Sequence, residues 1–581
     1  MTSAHLVRAA FDLPLDPRDR DGPRLAGAFL TEPTAVLATS APHQVPAVVA
    51  AAEQAARAGH WVVGGLTYEA GGAWDAAQRT RAGTGELARF EVFSADPVGW
   101  PAASASPVLD WFVSGRFAVP DPAAAITEVQ ERIAAGDCYQ VNLTSRMATL
   151  PPPGDDLYSR FRGLASTQPQ GYAVFLRGAG VASVSPELFF HARPDGRVTT
   201  QPMKGTAPAG TPPEQLRGHP KEQAENLMIV DLLRNDLGRV CLPGTVRVDG
   251  LFDLLELPTV WQLVSTVSGQ ARPGTGLADL FAALFPCGSV TGAPKIRAME
   301  VIAGLESQPR GWYCGALGVL RPGGEAIFNV AIRTVEQRGS RLECGVGSGI
   351  VADSRPSAEL AEWRAKTRFL GGRPLAALET LRLVDGRYPR LAGHLDRLAR
   401  ADAVLGLGAD LAEAAAALER LRAAHPSGAW RVRLTAGDGS TQAVASRCPE
   451  TPSPVTLAVA DRPLDTVALA PVIGHKTSWR QHYEALYDGR PAGAFDVICH
   501  TTDGQVTEAT RGNLAFLLDR RWVTPPASLG LLPGVERAAR LSDGTLVEAA
   551  VGLTDLGRVE QVAYLNALRG WCPVVLPDSG R

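Results

Sequence analysis

At 581 residues the chain is too long for one ordinary domain, and more than one core-forming unit is expected. A net charge of −3 offers no basic field to a nucleic acid or an anionic membrane, so neither is an expected partner. No apolar run approaches the roughly 20 residues needed to cross a bilayer.

The opening stretch, Met1 to Asp21, turns acidic and Pro-rich where a signal peptide would be apolar, so export is not expected. The cysteines, Cys138, Cys241, Cys287, Cys314, Cys344, Cys448, Cys499 and Cys572, form no CxxC pair and no metal-ligand spacing. They read as reduced, mostly buried thiols of a cytoplasmic protein.

Along the chain, Pro/Gly-rich stretches near residues 45 and 153 interrupt the pattern. Tyr172 to Leu176 reads as a strand. His219 to Gly238 reads as a helix, with Pro220 suited to its first position and Gly238 to its stop. Glu222 and Glu225 share one of its faces, just before an apolar run. Gly345 to Val351 is a Gly-rich run that suggests close approach of backbone to a ligand. Glu359, Glu362 and Lys366 fall within about 60° of one another on a helix, a carboxylate–carboxylate–ammonium stripe. A solvated face with i,i+3 pairs would look the same. Gly371-Gly-Arg-Pro374 marks the main expected boundary, after which Leu378 to Val384 and Trp430 to Leu434 read as strands. Strands and helices do not alternate strictly, so the expected class is α+β.

Eight segments in order carry a resemblance over about 125–370. They are Gly136 to Thr144, Ser185 to Phe189, Pro202-Met-Lys-Gly-Thr206, His219 to Gly238, Gly288-Ser-Val-Thr-Gly-Ala-Pro-Lys295, Tyr313 to Gly318, Asn329 to Thr334 and Gly347 to Asp353. This region resembles the chorismate-utilising family of anthranilate, isochorismate and aminodeoxychorismate synthases. The resemblance implies a large two-sheet α+β domain over 121–371, preceded by the family's variable N-terminal part over 1–120. It implies Mg²⁺ held by Glu225 and Glu362 with Glu359 close by, a chemistry that suits hard oxygen ligands. Thr291, Tyr313, Arg333, Lys366 and the backbone around Gly347 would hold chorismate, and Glu187 would protonate its departing 4-hydroxyl. Isochorismate synthases carry a Lys at the position of Gln140, and anthranilate synthases usually have a small residue at that of Lys204. In the aminodeoxychorismate synthases this Lys is the nucleophile. Gln262 and Cys287 depart from the family pattern.

A second ordered set runs from Glu379-Thr-Leu-Arg382 through His394 to Leu398, His475-Lys-Thr-Ser-Trp479, Val506 to Asn513 and Leu532 to Arg537, ending at Asn566 to Gly570. Residues 375–581 thus resemble the fold-type-IV pyridoxal-phosphate enzymes, which include branched-chain and D-amino-acid aminotransferases and aminodeoxychorismate lyases. The resemblance implies Lys476 as the cofactor's covalent anchor and base, and Glu508 as partner of the pyridinium nitrogen. Arg397 and the backbone amides of Val535 and Glu536 would take the phosphate, and Thr380 would be the proton donor. A homodimer through this region is an open expectation. The leading hairpin usual before the Glu-Thr pair is absent, and Ala567 stands where many relatives have a hydroxyl.

Together the halves imply a bifunctional route from chorismate and ammonia to 4-aminobenzoate and pyruvate. No Cys-centred glutaminase signature occurs, so a separate glutamine amidotransferase subunit is the expected ammonia source. The alternative is an anthranilate synthase component fused to an aminotransferase-like domain.

Overall fold

The computed structural model describes residues 7–576 apart from 84, 104–108, 110–111, 114–121, 150, 152–153, 209–211, 258–259, 372–374, 406, 438–439 and 467–468. The expected junction at 120/121, residues 372–374 of the Gly371 to Pro374 junction, and part of the Pro-rich stretch near 153 lie outside the described residues. The chain forms two compact units, Met1–Leu109 with Arg116–Gly372, and Asp110–Gly115 with Arg373–Arg581.

In the first unit, strands with near-continuous apolar burial build two antiparallel sheets. One runs in the order Gly292–Ala293, Gln140–Thr149, Arg341–Ile350, Thr334–Arg338, Val181–Ser185, Tyr172–Leu176, Ala9–Pro14, Arg24–Phe29. The other runs Met203–Pro208, Val260–Gln270, Arg197–Gln201, Leu188–Ala192, Ala326–Val330, Ala316–Leu320, Trp61–Leu66, Ala88–Phe93, Ala35–Thr39. Phe11, Phe29, Val174 and Leu176 of the first sheet share one core with Val63, Phe93, Leu317 and Ile327 of the second, so the sheets pack face to face. Phe29 and Phe93 stack with centroids 4.1 Å apart, a contact worth about 1 kcal/mol beyond its buried area.

Helices cover the outer faces. Val45–Arg57, Pro220–Gly238 and Leu277–Leu284 pack against the second sheet through Val49, Ile229, Leu233 and Phe281. Pro122–Ala134, Lys295–Leu305 and Pro356–Lys366 pack against the first through Ile126, Ile302 and Trp363. The helix Pro220–Gly238 begins and ends where its proline and glycine imply, with His219 as N-cap.

The second unit has a three-stranded antiparallel sheet, Ala377–Val384, Ala429–Gly437, Ser440–Arg447, packed by helices Leu391–Leu405 and Leu411–Ala424. It also has a mixed eight-stranded sheet in the order Val506–Ala509, Asp496–His500, Val455–Val459, Gly570–Val575, Gln561–Asn566, Asn513–Leu518, Arg521–Thr524, Val547–Glu548. Both units are α+β, helices standing beside largely antiparallel sheets rather than alternating with parallel strands. All eight cysteines are free thiols. Among the described residues no helix is long and apolar enough to cross a membrane.

Candidate active sites

In the first unit the Gly-rich strand pairs with Gln140–Thr149, setting Gly347 opposite Thr144 and Gly349 opposite Asn142. A Cβ on Gly349 would stand 2.7 Å from Lys204 Nζ and collide with the Gln140 amide. Glycine there is what lets both side chains reach the strand. At Gly345 a Cβ would run into the Tyr313 ring. Gln140 is buried, and neither its Oε1 nor its Nε2 has a hydrogen-bond partner among the described residues. An unmet amide costs about 1–3 kcal/mol per group, which makes this spot receptive to a polar ligand.

Glu187, buried beside strand Leu188–Ala192, is the acid of this wall. Burial pushes its carboxyl up to about 7, against a hydrogen bond from Ser289 and the charges of Lys204 and Arg20. Its Oε1 has no hydrogen-bond partner among the described residues. Cys287 stands 3.2 Å from Ser289 Oγ, so this departure from the family pattern extends the polar chain behind Glu187.

The carboxylates gather on two helices. Burial raises the Glu225 carboxyl; Lys204 and Lys221 oppose the rise, while Glu362 and Glu359 add to it. Glu222 is raised by burial and by Glu225. Burial acts to raise Glu362 too, but Lys366, Lys204 and Lys221 outweigh it and hold this carboxyl below its ordinary value. The expected stripe is internally paired: Lys366 Nζ lies 2.7 Å from Glu362 Oε1 and donates to the Gly347 carbonyl at 2.9 Å. Glu359 accepts from Ser348 Oγ at 2.5 Å and from Ser354 Oγ at 2.7 Å. Among the described residues no group of three or more His, Cys, Asp or Glu is assembled to hold a metal ion.

Arg333 is the cationic counterpart. Its backbone sits in the left-handed region at φ 49°, a position that costs a non-glycine residue about 1 kcal/mol or more. Burial lowers its guanidinium to about 10 with no carboxylate opposing the shift, and its polar partner is the Gln168 side-chain oxygen. A half-buried cation with no anion facing it among the described residues is suited to a ligand carboxylate. Thr291 is buried and donates to the Cys287 and Gly288 carbonyls at 3.2 and 3.3 Å. Tyr313 is buried against Gly345, its phenol pushed well up by burial.

In the second unit a charged cluster surrounds Lys476. Burial lowers this ammonium to about 7; Glu379 opposes the effect, while Arg397, Arg480 and Arg433 add to it. Glu379 accepts from Arg397 Nε at 2.8 Å and Nη2 at 2.7 Å, and its Oε2 lies 2.6 Å from His394 Nδ1. Burial would raise this carboxyl, yet Arg397 and His394 hold it at about 2. Two nitrogens of Arg397, expected to face a phosphate, are therefore taken by Glu379, while Nη1 lies 3.5 Å from the Pro533 carbonyl.

Pro533 leads into Gly534, the N-cap of helix Val535–Ser542, whose first turn no side chain caps. Val535 and Glu536 are both buried, and the Glu536 carboxylate pairs with Arg390 and Arg540. Asn513 Nδ2 donates to Glu508 Oε2 at 3.2 Å and to the Leu532 carbonyl at 2.8 Å, tying Glu508 to that helix start. Glu508 is buried, accepts from Tyr483 Oη and the Leu532 amide, and is pushed by burial up to about 7. Thr380 is half-buried on the edge strand, opposite Arg433.

Residues 119–371 match the family of chorismate binding enzymes, and residues 376–576 match amino-transferase class IV. The chain joins a chorismate-binding enzyme domain to a class IV aminotransferase domain. The aminodeoxychorismate synthase component 1 of Klebsiella aerogenes is 45% identical over 244 residues, 40% of this chain and 53% of that protein. The anthranilate synthase component 1 of Streptomyces coelicolor is 42% identical over 257 residues, 42% of this chain and 49% of that protein. The chain thus spans about half the length of these relatives. Anthranilate synthase component I from Streptococcus pneumoniae superposes with a TM-score of 0.50 at 22% identity, over 62% of this chain and 89% of that one, and shares the fold.

Both are enzyme families, and the class IV fold implies pyridoxal phosphate. Several members of the two sites were not singled out from the sequence. In the chorismate-binding domain Arg20 donates to the Pro186 carbonyl at 2.6 Å and to Gln201 Oε1 at 2.5 Å, beside Glu187 but far from it in sequence. In the class IV domain Glu379, His394, Tyr483 and Asn513 hold the neighbours of Lys476 and Glu508. Glu379, His394 and Asn513 stood inside quoted motifs, so the signal was present without its role.

Proposed function

We propose that the chain converts chorismate and ammonia to 4-aminobenzoate and pyruvate, with 4-amino-4-deoxychorismate passing from the first unit to the second. Lys204 carries the reading. Its amine and the unmet Gln140 amide both lie against Gly349, and its charge acts on Glu187, Glu225 and Glu362. In the first step the Lys204 amine forms a bond to ring C2 of chorismate. The ring double bond shifts, and the 4-hydroxyl leaves as water with a proton from Glu187. Ammonia then bonds to C4, the double bond shifts back, and Lys204 departs. A carboxyl that protonates near 7 can act in both directions at neutral pH.

Arg333 is the proposed partner of one chorismate carboxylate, with Thr291, Tyr313 and the Gly347 backbone shaping the pocket. Glu225 and Glu362, with Glu359 beside them, are hard oxygen donors whose mutual repulsion a divalent cation would relieve, so the donor set fits Mg²⁺. The cation would neutralise carboxylate charge. By competing for Glu362 it would free Lys366 for the substrate.

In the second unit the residues fit pyridoxal phosphate: a lysine whose amine is partly neutral near pH 7, a buried carboxyl for a protonated ring nitrogen, and a helix start without a side-chain cap. When bound, the cofactor supplies a carbonyl for the substrate amine and an electron sink. Lys476 removes the C4 proton, Thr380 delivers a proton to the departing enolpyruvyl group, and aromatisation of the ring drives elimination. Glu508 would pair with the cofactor's ring nitrogen, whose positive charge would favour the ionised carboxylate. Arg397 and the amides of Val535 and Glu536 are the proposed phosphate holders.

The named relative's "component 1" supports a separate glutamine amidotransferase as ammonia source. Free thiols support a cytoplasmic setting, and the second unit is the proposed homodimer surface. The similarity to an anthranilate synthase component sustains the competing product, anthranilate. Incubation with chorismate, ammonium, Mg²⁺ and pyridoxal phosphate decides between them by product mass and retention. 4-Aminobenzoate supports the proposal; anthranilate overturns it.

A further inference from the structure

The three-stranded sheet of the second unit buries one face and leaves the other open. Glu379, Leu381, Leu383, Val432, Leu434 and Ala436 are buried on the inner face. Opposed residues of an antiparallel pair share a face, and alternate residues change it. The register sets Thr380 opposite Arg433 and Arg382 opposite Arg431, so all four share the outer face. Thr477 pairs with Ala377, and the Leu378 amide donates to the Lys476 carbonyl at 2.8 Å. Lys476 therefore lies opposite Leu378, two residues along the strand from Thr380.

This open face is cationic and unneutralised. Among the described residues none of Arg382, Arg431 and Arg433 is in an ion pair. Arg431 Nε donates to Ser446 Oγ at 3.2 Å, and Arg382 Nε is buried with no partner among the described residues. Arg433 is close enough to Lys476 to act on its amine. Three like charges on adjacent register positions repel one another and weaken the sheet. The arrangement acquires a use only where an anion is brought to it.

We propose that this face is a carboxylate-binding site for the amine substrate of the second unit, with Arg433 gripping the carboxylate nearest Thr380. The ligand class is a small cyclic amine bearing one or two carboxylates. The choice of substrate rests on the function proposed above: there, Thr380 protonates the departing enolpyruvyl group, and Arg433 beside it holds that group's carboxylate. Arg382 and Arg431, one strand step of about 7 Å away, face the second carboxylate.

The test compares two probes of equal shape, 4-aminobenzoate and the uncharged 4-aminobenzamide, by titration calorimetry on the full chain loaded with pyridoxal phosphate. Wild type should prefer the carboxylate by about tenfold, the size of one charge-assisted hydrogen-bond pair. Arg433→Gln should erase the preference by weakening the carboxylate alone, and Arg433→Lys should restore part of it. With 4-amino-4-deoxychorismate the Gln variant should raise KM by about tenfold and change kcat by less than about twofold. The cofactor's visible absorbance should not change. A preference that survives in Arg433→Gln, an equal loss for both probes, or a wild type that binds neither overturns the proposal. Failure of wild type to make 4-aminobenzoate overturns the proposed function instead, and leaves the probe comparison to judge Arg433.

Discussion

Replacing Glu379 by Gln removes the anion that both Arg397 and His394 face, and the size of the loss follows from the geometry. The carboxyl is held at about 2 against an ordinary 4.5, a gap equivalent to about 3 kcal/mol of stability. Arg397 would remain buried with no anion opposite it and one of its two Glu379 acceptors replaced by an amide NH2, which brings the total to the order of 3–5 kcal/mol. In a unit of this size that predicts a fall in melting temperature of about 10 °C. The sign with pH is fixed. A depressed carboxyl contributes fully above its unfolded value of about 4.5, and its contribution fades as pH falls from there toward 2. Wild type and Glu379→Gln should therefore differ most at neutral pH and converge below about 4.5. Differential scanning calorimetry of the full chain measures this, with loss of cofactor absorbance marking the transition of the second unit. A shift under about 2 °C at neutral pH, or one that does not narrow on acidification, refutes the reasoning.

The remaining predictions concern the chemistry. Glu187→Gln should lower kcat of the first step by about 10²–10⁴-fold while chorismate still binds. The wild-type rate should fall as pH rises through about 7, because the protonated acid is then lost; stopped-flow or product assays across pH check both. Lys204→Ala should stop formation of the 4-amino product from chorismate and ammonium without changing conversion of added 4-amino-4-deoxychorismate, as followed by chromatography. Lys476→Ala should lose the borohydride-reducible attachment of pyridoxal phosphate and its visible band, and the first step's product should accumulate.

Local physics made some of this readable and tertiary geometry hid the rest. Pro220 and Gly238 announce their helix because one fixes φ and lacks the donor a first turn does not use, and the other tolerates the stop. The Gly-rich run at 345–351 signalled close approach, and strand Arg341–Ile350 gives that approach an object in Tyr313, Gln140 and Lys204. The helical stripe of Glu359, Glu362 and Lys366 was equally legible. What the sequence could not say is that Ser348 and Ser354 occupy Glu359, or that Lys366 closes on Glu362, since these depend on strand-to-helix packing. The grip of Glu379 on Arg397 likewise joins a strand to a helix, and Arg20 reaches Pro186 across the fold. No periodicity encodes such pairings.

The claim that one chain runs both steps is tested most directly by mixing two disabled proteins. Glu362→Ala loses a proposed Mg²⁺ ligand in the first unit, and Lys476→Ala loses the base of the second, so each alone should convert chorismate and ammonium to 4-aminobenzoate at background level. Mixed, they should restore 4-aminobenzoate and pyruvate in equal amounts, because the first step's product diffuses from the Lys476→Ala protein to the Glu362→Ala protein. A mixture as inactive as its components, or one that yields anthranilate, would contradict the account.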